Sequence, residues 1–242
     1  MTAVIDKKNI CSDKSGKGNE LRFAFCAFGS DVCTVVGADR VSPDGTLNIP
    51  EYAPDGRRVV AIADSAFEGM EQLVSVSVPA GVKTIGRRAF AFCASLRRVE
   101  FDECSALTSI AARAFCGCDR LEEISLPDTL GFCGEKAFAY CTRLVAVSLP
   151  SALTELPAGL FEGCRALESV HISDSVRTVG RSAFSACVSL RGIVLPASVM
   201  SIDDSAFMWC EHLDSVTLNN PECEISPYAF FNCAEPTFRV AI

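Results

Sequence analysis

Cysteine is the reactive residue this chain uses most: it occurs 14 times, beside only two histidines. Thiols at that density could build a disulfide framework or hold zinc. Their spacing argues against both. Cys93, Cys118, Cys141, Cys164, Cys187, Cys210 and Cys233 each stand three residues after a phenylalanine and share one phase. They therefore form a ladder whose side chains point the same way, whereas a disulfide needs converging Cβ vectors. In such an inward column cysteine acts as a small hydrophobe. No paired Cys-x-x-Cys is present, so neither a metal nor a cofactor is expected. The remaining cysteines follow no common phase. Cys133 takes the place of the usual isoleucine, Cys104 sits in an insertion, Cys116 follows Phe115, Cys11 lies in a polar leader and Cys223 in a Pro-containing turn. Cys26 and Cys33 flank Gly29-Ser30; a two-residue hairpin loop would set them opposite each other and a three-residue loop would separate them, and both readings stay open.

Other catalytic signatures are missing from the sequence. It has no Gly-x-Ser-x-Gly, no Gly-x₄-Gly-Lys and no paired-histidine motif. His171 reads as the outward side of a strand and His212 as a neighbour of a turn leucine. Trp209 lies in the turn between Phe207 and Cys210, where filling the groove between turns is its expected role. The expectation is a protein that is not an enzyme.

What positions these residues is a repeat. The stretch 137–150 reads Ala-Phe-x-x-Cys-x-x-Leu-x-x-Val-x-Leu-Pro, and its phenylalanine recurs as Phe67, Phe90, Phe115, Phe138, Phe161, Phe184, Phe207 and Phe230. Every interval is 23 residues except 25 between Phe90 and Phe115. A fixed period of this size is the signature of a solenoid, and leucine-rich repeats have that repeat length. Phenylalanine, cysteine and leucine (as in Leu144) follow at spacings of three, which suits a short helical or 3₁₀ turn. The pattern then switches to period two, as in Val76/Val78, Ile124/Leu126 and Val147/Leu149, which predicts a strand with one buried face. A second apolar pair, such as Val82/Ile85 or Val176/Val179, precedes each phenylalanine, so the return segment also faces the core. Stacked coils would pair their strands in parallel and file the phenylalanines together. The predicted fold is an α/β-type leucine-rich repeat superhelix of about eight coils.

Composition agrees. The chain of 242 residues is 49% hydrophobic and 21% charged, with a net charge of −8 spread through the repeats. The absence of a basic stripe argues against nucleic acid, and no run approaches the ~20 apolar residues of a transmembrane segment. Residues 1–20 read as a flexible leader without the apolar segment of a signal peptide. Residues 21–46 read as a β-hairpin that caps the first coil, 47–234 as the solenoid, and 235–242 as a final strand. The two extra residues between Phe101 and Leu107 should bulge from a loop and leave the coil intact.

The Ala-Phe and Cys columns, phased with Val-x-Leu-Pro and a Val/Leu-x-x-Ile return over residues 47–234, closely resemble the BspA-like, treponemal type of leucine-rich repeat. That resemblance implies bacterial or protist exported proteins that bind proteins, including host matrix and cell-surface components. The chain departs from the family pattern at Met70, Leu160 and Cys133. It implies a cell-surface or periplasmic location with the signal outside this sequence, a cytoplasmic location being the alternative. The expected function is a protein-interaction or adhesion module; the other reading is a periplasmic or cytoplasmic scaffold, or a carrier with a groove for an apolar ligand.

The surface left for recognition is the outward set of strand residues, which in a curved repeat protein lines the concave sheet. By phase it comprises Ser75, Ser77, Arg98, Glu100, Glu123, Ser125, Ala146, Ser148, Ser169, His171, Val194, Ser215 and Thr217. These are mostly small and weakly polar. Arg87, Arg88, Arg97, Arg98, Arg113, Arg120 and Arg143 add a basic cluster that neighbouring acids largely neutralise.

Overall fold

The computed structural model describes residues 10–12, 19–25 and 30–240. In chain order the strands are β1 (Ile10–Ser12), β2 (Glu20–Phe25), β3 (Val32–Arg40), β4 (Thr46–Asn48), β5 (Arg58–Ile62), β6 (Ser75–Val78), β7 (Thr84–Ile85), β8 (Arg98–Phe101), β9 (Ser109–Ile110) and β10 (Phe132–Cys133). They continue with β11 (Ala146–Ser148), β12 (Glu155–Leu156), β13 (Ser169–His171), β14 (Thr178–Val179), β15 (Gly192–Leu195), β16 (Ser201–Ile202), β17 (Ser215–Leu218), β18 (Glu224–Ile225) and β19 (Thr237–Val240). Most coils contribute a strand of three or four residues to one side and, from β7 onward, a two-residue return strand to the other, and the phenylalanine turn of each coil forms a ridge along one corner.

On the long-strand side β4, β6 and β8 pair in parallel, as do β11 with β13 and β15 with β17 and β19. The return side runs β3, β5, β7, β9, β10 and then β12, β14, β16, β18, again in parallel. At the N-terminal end β1, β2 and β3 pair antiparallel, so a hairpin covers the first coil and β1 lies inside the segment read as a leader. Phe25 stands opposite Cys33; Cys26 lies outside the described residues. At the other end Phe238 of β19 pairs with Val216 and meets Phe230 edge-on at 5.2 Å.

The ladder of long strands does not run unbroken. The alternation of Ile124 and Leu126 predicts a strand, yet only Glu123 bridges to Ala146. The coil before it carries the two-residue insertion, folded as a turn in which the Cys104 amide donates to Asp102. The core file passes through undisturbed, so the insertion spares the interior and interrupts the sheet.

The interior is continuous because each column fills one file. Phe67 through Phe207 are buried, and successive rings from Phe67 to Phe230 stack at 5.0–5.8 Å within 15° of parallel. Offset stacking at this separation adds to area burial.

The ridge is not helical, and among the described residues no helix forms. Its backbone amides alternate in direction. In one coil the Arg113, Phe115 and Gly117 amides donate across to Glu135, Ala137 and Ala139 of the next coil, at 2.8–2.9 Å. The intervening Ala114, Cys116 and Cys118 amides donate three residues back within their own coil. The three-and-three spacing therefore marks consecutive tight turns. A helix would direct every amide along its own axis; here residues two before and two after the phenylalanine adopt left-handed backbone, such as Arg88 and Phe92 with φ of 57° and 60°. Side chains there cost about 1–2 kcal/mol each, and Gly69, Gly117 and Gly163 avoid that cost at the second position.

The cysteine column has a role that small size alone does not explain. Each thiol donates to the carbonyl of the preceding coil's phenylalanine: Cys93 to Phe67 at 3.1 Å, Cys118 to Phe90, Cys141 to Phe115, Cys164 to Phe138, Cys187 to Phe161, Cys210 to Phe184 and Cys233 to Phe207. A methyl group would fill the space and leave that second lone pair unused. Burial pushes the Cys93 thiol up to about 12, and holds Cys118, Cys141 and Cys164 well above the ordinary thiol value. Neutral, enclosed thiols react slowly. A bulky maleimide should leave the six enclosed ladder cysteines, Cys93 to Cys210, unmodified in native protein, whereas Cys233 is only half-buried and should react, and unfolding should expose all seven as free thiols. A Cys141–Cys164 bridge found by mass spectrometry would contradict this.

Candidate functional site on the strand face

The period-two pleat turns alternate residues of each long strand outward, and parallel in-register pairing sets them side by side. Ser75 lies beside Arg98 and Ser77 beside Glu100. Ala146 pairs with Ser169 and Ser148 with His171; Gly192 pairs with Ser215 and Val194 with Thr217. Glu123 bridges the gap in the ladder to Ala146.

Two adjoining depressions form on this face. One, of about 910 Å³, is lined by Arg98, Glu100, Asp102, Glu103, Glu123, Ser125, Asp128 and Ser148, together with apolar residues of the strands. It occupies the place where the ladder is interrupted. The other, of about 650 Å³, is lined by Glu123, Ala146, Ser148, Ser169, His171, Asp174, Val194 and Asn219 among others. Ser75, Ser77, Ser215 and Thr217 lie outside both, and Ser75 hydrogen-bonds to Thr46 at 3.3 Å.

Arg98 reaches Glu100 at 3.4 Å and Glu123 at 3.8 Å. The Glu123 side chain is 74% exposed, so these contacts hold little energy and leave both carboxylates available. The larger depression thus carries five carboxylates against one guanidinium, and its local field is negative. His171 is exposed on β13, and His212 is committed through Nδ1 to the Val188 carbonyl at 2.7 Å. Among the described residues no cluster of three or more metal-ligating side chains forms.

Sequence reasoning missed a separate depression, of about 210 Å³, on the ridge, lined by Arg88, Ala91, Phe92, Arg113, Cys116, Lys136 and Tyr140. Its signal in the sequence was the second residue after each phenylalanine, which changes from Gly69 to Phe92, Gly117, Tyr140 and Gly163. Trp209 occupies the same position farther on and is half-exposed.

A model of the BspA type leucine rich repeat region matches in six copies over residues 60–191 and 132–240. Among solved structures, a leucine rich cell surface protein from Faecalibacterium prausnitzii is similar with a TM-score of 0.66 and 22% identity, over 96% of this chain and 76% of that one. The Treponema pallidum leucine rich repeat protein is similar with a TM-score of 0.57 and 26% identity, over 76% of this chain and 89% of that one. No curated protein sequence matches. The matched repeats span most of the described solenoid, and the chain belongs to the BspA-type leucine-rich repeat family.

Proposed function

We propose that this chain is a non-enzymatic protein-interaction module of the adhesion type, and that it presents the outward strand face to a protein partner. The observation that carries this reading is the pair of adjoining depressions, lined by side chains that the core does not use. An interface of ordinary size covers about 800 Å² per partner and takes its energy from a few anchors. Arg98, Glu100, Glu123 and His171 are the largest side chains among the outward strand residues that line the depressions. Five carboxylates at the larger depression favour a basic protein surface over an apolar cargo, which counts against the carrier reading. The similarity to a cell surface protein supports placing the module outside the cell.

The partner is to be found by capture from extracellular matrix proteins and partner-cell surface extracts. Replacing Arg98, Glu100, Glu123 and His171 together with alanine should then weaken binding at least about tenfold, or 1.4 kcal/mol, with an unchanged circular dichroism spectrum and melting curve. Binding should also weaken as salt rises. Undiminished binding by the quadruple variant would exclude this face.

A further inference from the structure

We propose that the ridge carries a separate recognition pocket that takes an aromatic side chain flanked by acidic residues on a partner protein. The pocket is walled by Phe92 and Tyr140, two coils apart, with Arg88, Arg113 and Lys136 around it and Cys116 and Ala91 beneath.

Both walls are held in place from outside. Phe92 leans over the next coil, where a Cβ on Gly117 would come within 2.6 Å of its ring, and Tyr140 leans over Gly163 in the same way. The Arg88 guanidinium stands over the Phe92 ring at 5.7 Å and pairs with Glu68. On the other side the Tyr140 hydroxyl donates to Glu162 at 2.6 Å, and Lys136 reaches the second oxygen of the same carboxylate at 2.9 Å. Glu68 and Glu162 thus fix the flanking cations and leave the middle one, Arg113, which is exposed and makes no ion pair among the described residues. The Nε of Arg88 is buried and has no hydrogen-bond partner among the described residues, an unusual state for a buried donor.

The aromatic walls are bought with strain: Phe92 and Tyr140 both have φ of 60° at the position where Gly69, Gly117 and Gly163 are relaxed. Half-exposed aromatic side chains beside the uncompensated Arg113 guanidinium, on a protein of net charge −8, are complementary to an apolar ring with negative charge beside it. At about 210 Å³ the pocket is smaller than the ~300–1,000 Å³ of sites for whole small molecules. It has room for one ring-sized group, which makes it an anchor pocket for a protein segment.

The test uses an acetylated, amidated pentapeptide, two aspartates on each side of 4-fluorophenylalanine, followed by ¹⁹F NMR titration of the full chain. Saturable binding is expected, weakened at least about fivefold by Arg113→Ala and at least about tenfold by Phe92→Gly or Tyr140→Gly. Glycine suits the left-handed backbone at both positions, so the last two variants should keep the melting temperature. The same peptide with lysines for aspartates, or leucine for the ring, should bind at least about tenfold more weakly. The strand-face quadruple variant should bind like the wild type, which separates this pocket from the strand-face reading. No binding at millimolar peptide, equal binding of the lysine peptide, or undiminished binding by Arg113→Ala with Phe92→Gly would each overturn the proposal.

Discussion

Phe138→Ala should destabilise the solenoid by about 3–5 kcal/mol, the range for removing a fully buried aromatic. Phe138 stacks on Phe115 at 5.4 Å and on Phe161 at 5.8 Å, so its removal empties the middle of a file and deprives two other rings of a neighbour. The surroundings have little freedom to collapse, because the Phe138 amide is bonded to Leu160 and the Cys164 thiol to the Phe138 carbonyl. Repeat stacks gain stability from nearest-neighbour contacts; breaking one in the centre should split urea unfolding into two transitions, one for each half. Phe230→Ala should cost much less, since that ring is only partly buried. A Phe138→Ala midpoint equal to the wild type would refute the shared file.

Alkali should unfold this protein near pH 10. Burial is the leading cause that raises the thiols of Cys93, Cys118, Cys133, Cys141, Cys164 and Cys187; for Cys210 the adjacent Cys233 thiol leads and burial adds to it. In the unfolded chain each would titrate near the ordinary value of 9.0. Between that value and the raised folded values, the first of them about 12, the folded state holds protons that the unfolded state has released. The unfolded state binds fewer protons there, so stability falls as pH rises; below about pH 9 these groups contribute no slope. One pH unit above the ordinary value is worth about 1.4 kcal/mol per thiol. The six raised chiefly by burial together lose roughly 8 kcal/mol at that pH, within the ~5–15 kcal/mol that stabilises a whole domain. Melting temperatures measured from pH 7 to 11 should be flat at first and then fall steeply. Replacing Cys141 and Cys164 with alanine should lower the slope by two protons while lowering stability at neutral pH. A melting temperature at pH 10 equal to that at pH 7.5 would show that these thiols are not held neutral by the fold.

The repeat was legible because a solenoid turns each physical file into a sequence column: the rings that stack in space are the phenylalanines 23 residues apart. The outward strand residues were legible for the same reason, since a pleat maps parity onto side. What stayed hidden depends on backbone direction. Spacings of three fit a helix and a run of tight turns equally, and only the left-handed residues such as Lys136 and Tyr140 decide between them. Ile124 and Leu126 alternate as well as any strand here, yet the neighbouring insertion leaves Glu123 alone in the ladder. The cysteines were read as small apolar groups because the offset that brings one coil's thiol to another coil's carbonyl exists only after stacking. The ridge pocket escaped notice because its two walls lie 48 residues apart in the chain, and the intervening Gly117 reads as an ordinary turn residue.

The insertion at Asp102–Ser105 also shows how such a chain can change over generations. It falls at the corner between a long strand and its return, and the phenylalanine file on either side of it keeps its 5.2 Å step. The ridge corner has no comparable slack, because alternate amides there are tied to the next coil. That corner has therefore taken a two-residue addition at the cost of a broken strand ladder, while the ridge favours whole periods. Duplication or loss of complete 23-residue units and decoration of a single edge are the two kinds of inheritance this architecture leaves open, and both alter what the protein displays while its interior keeps the same frame.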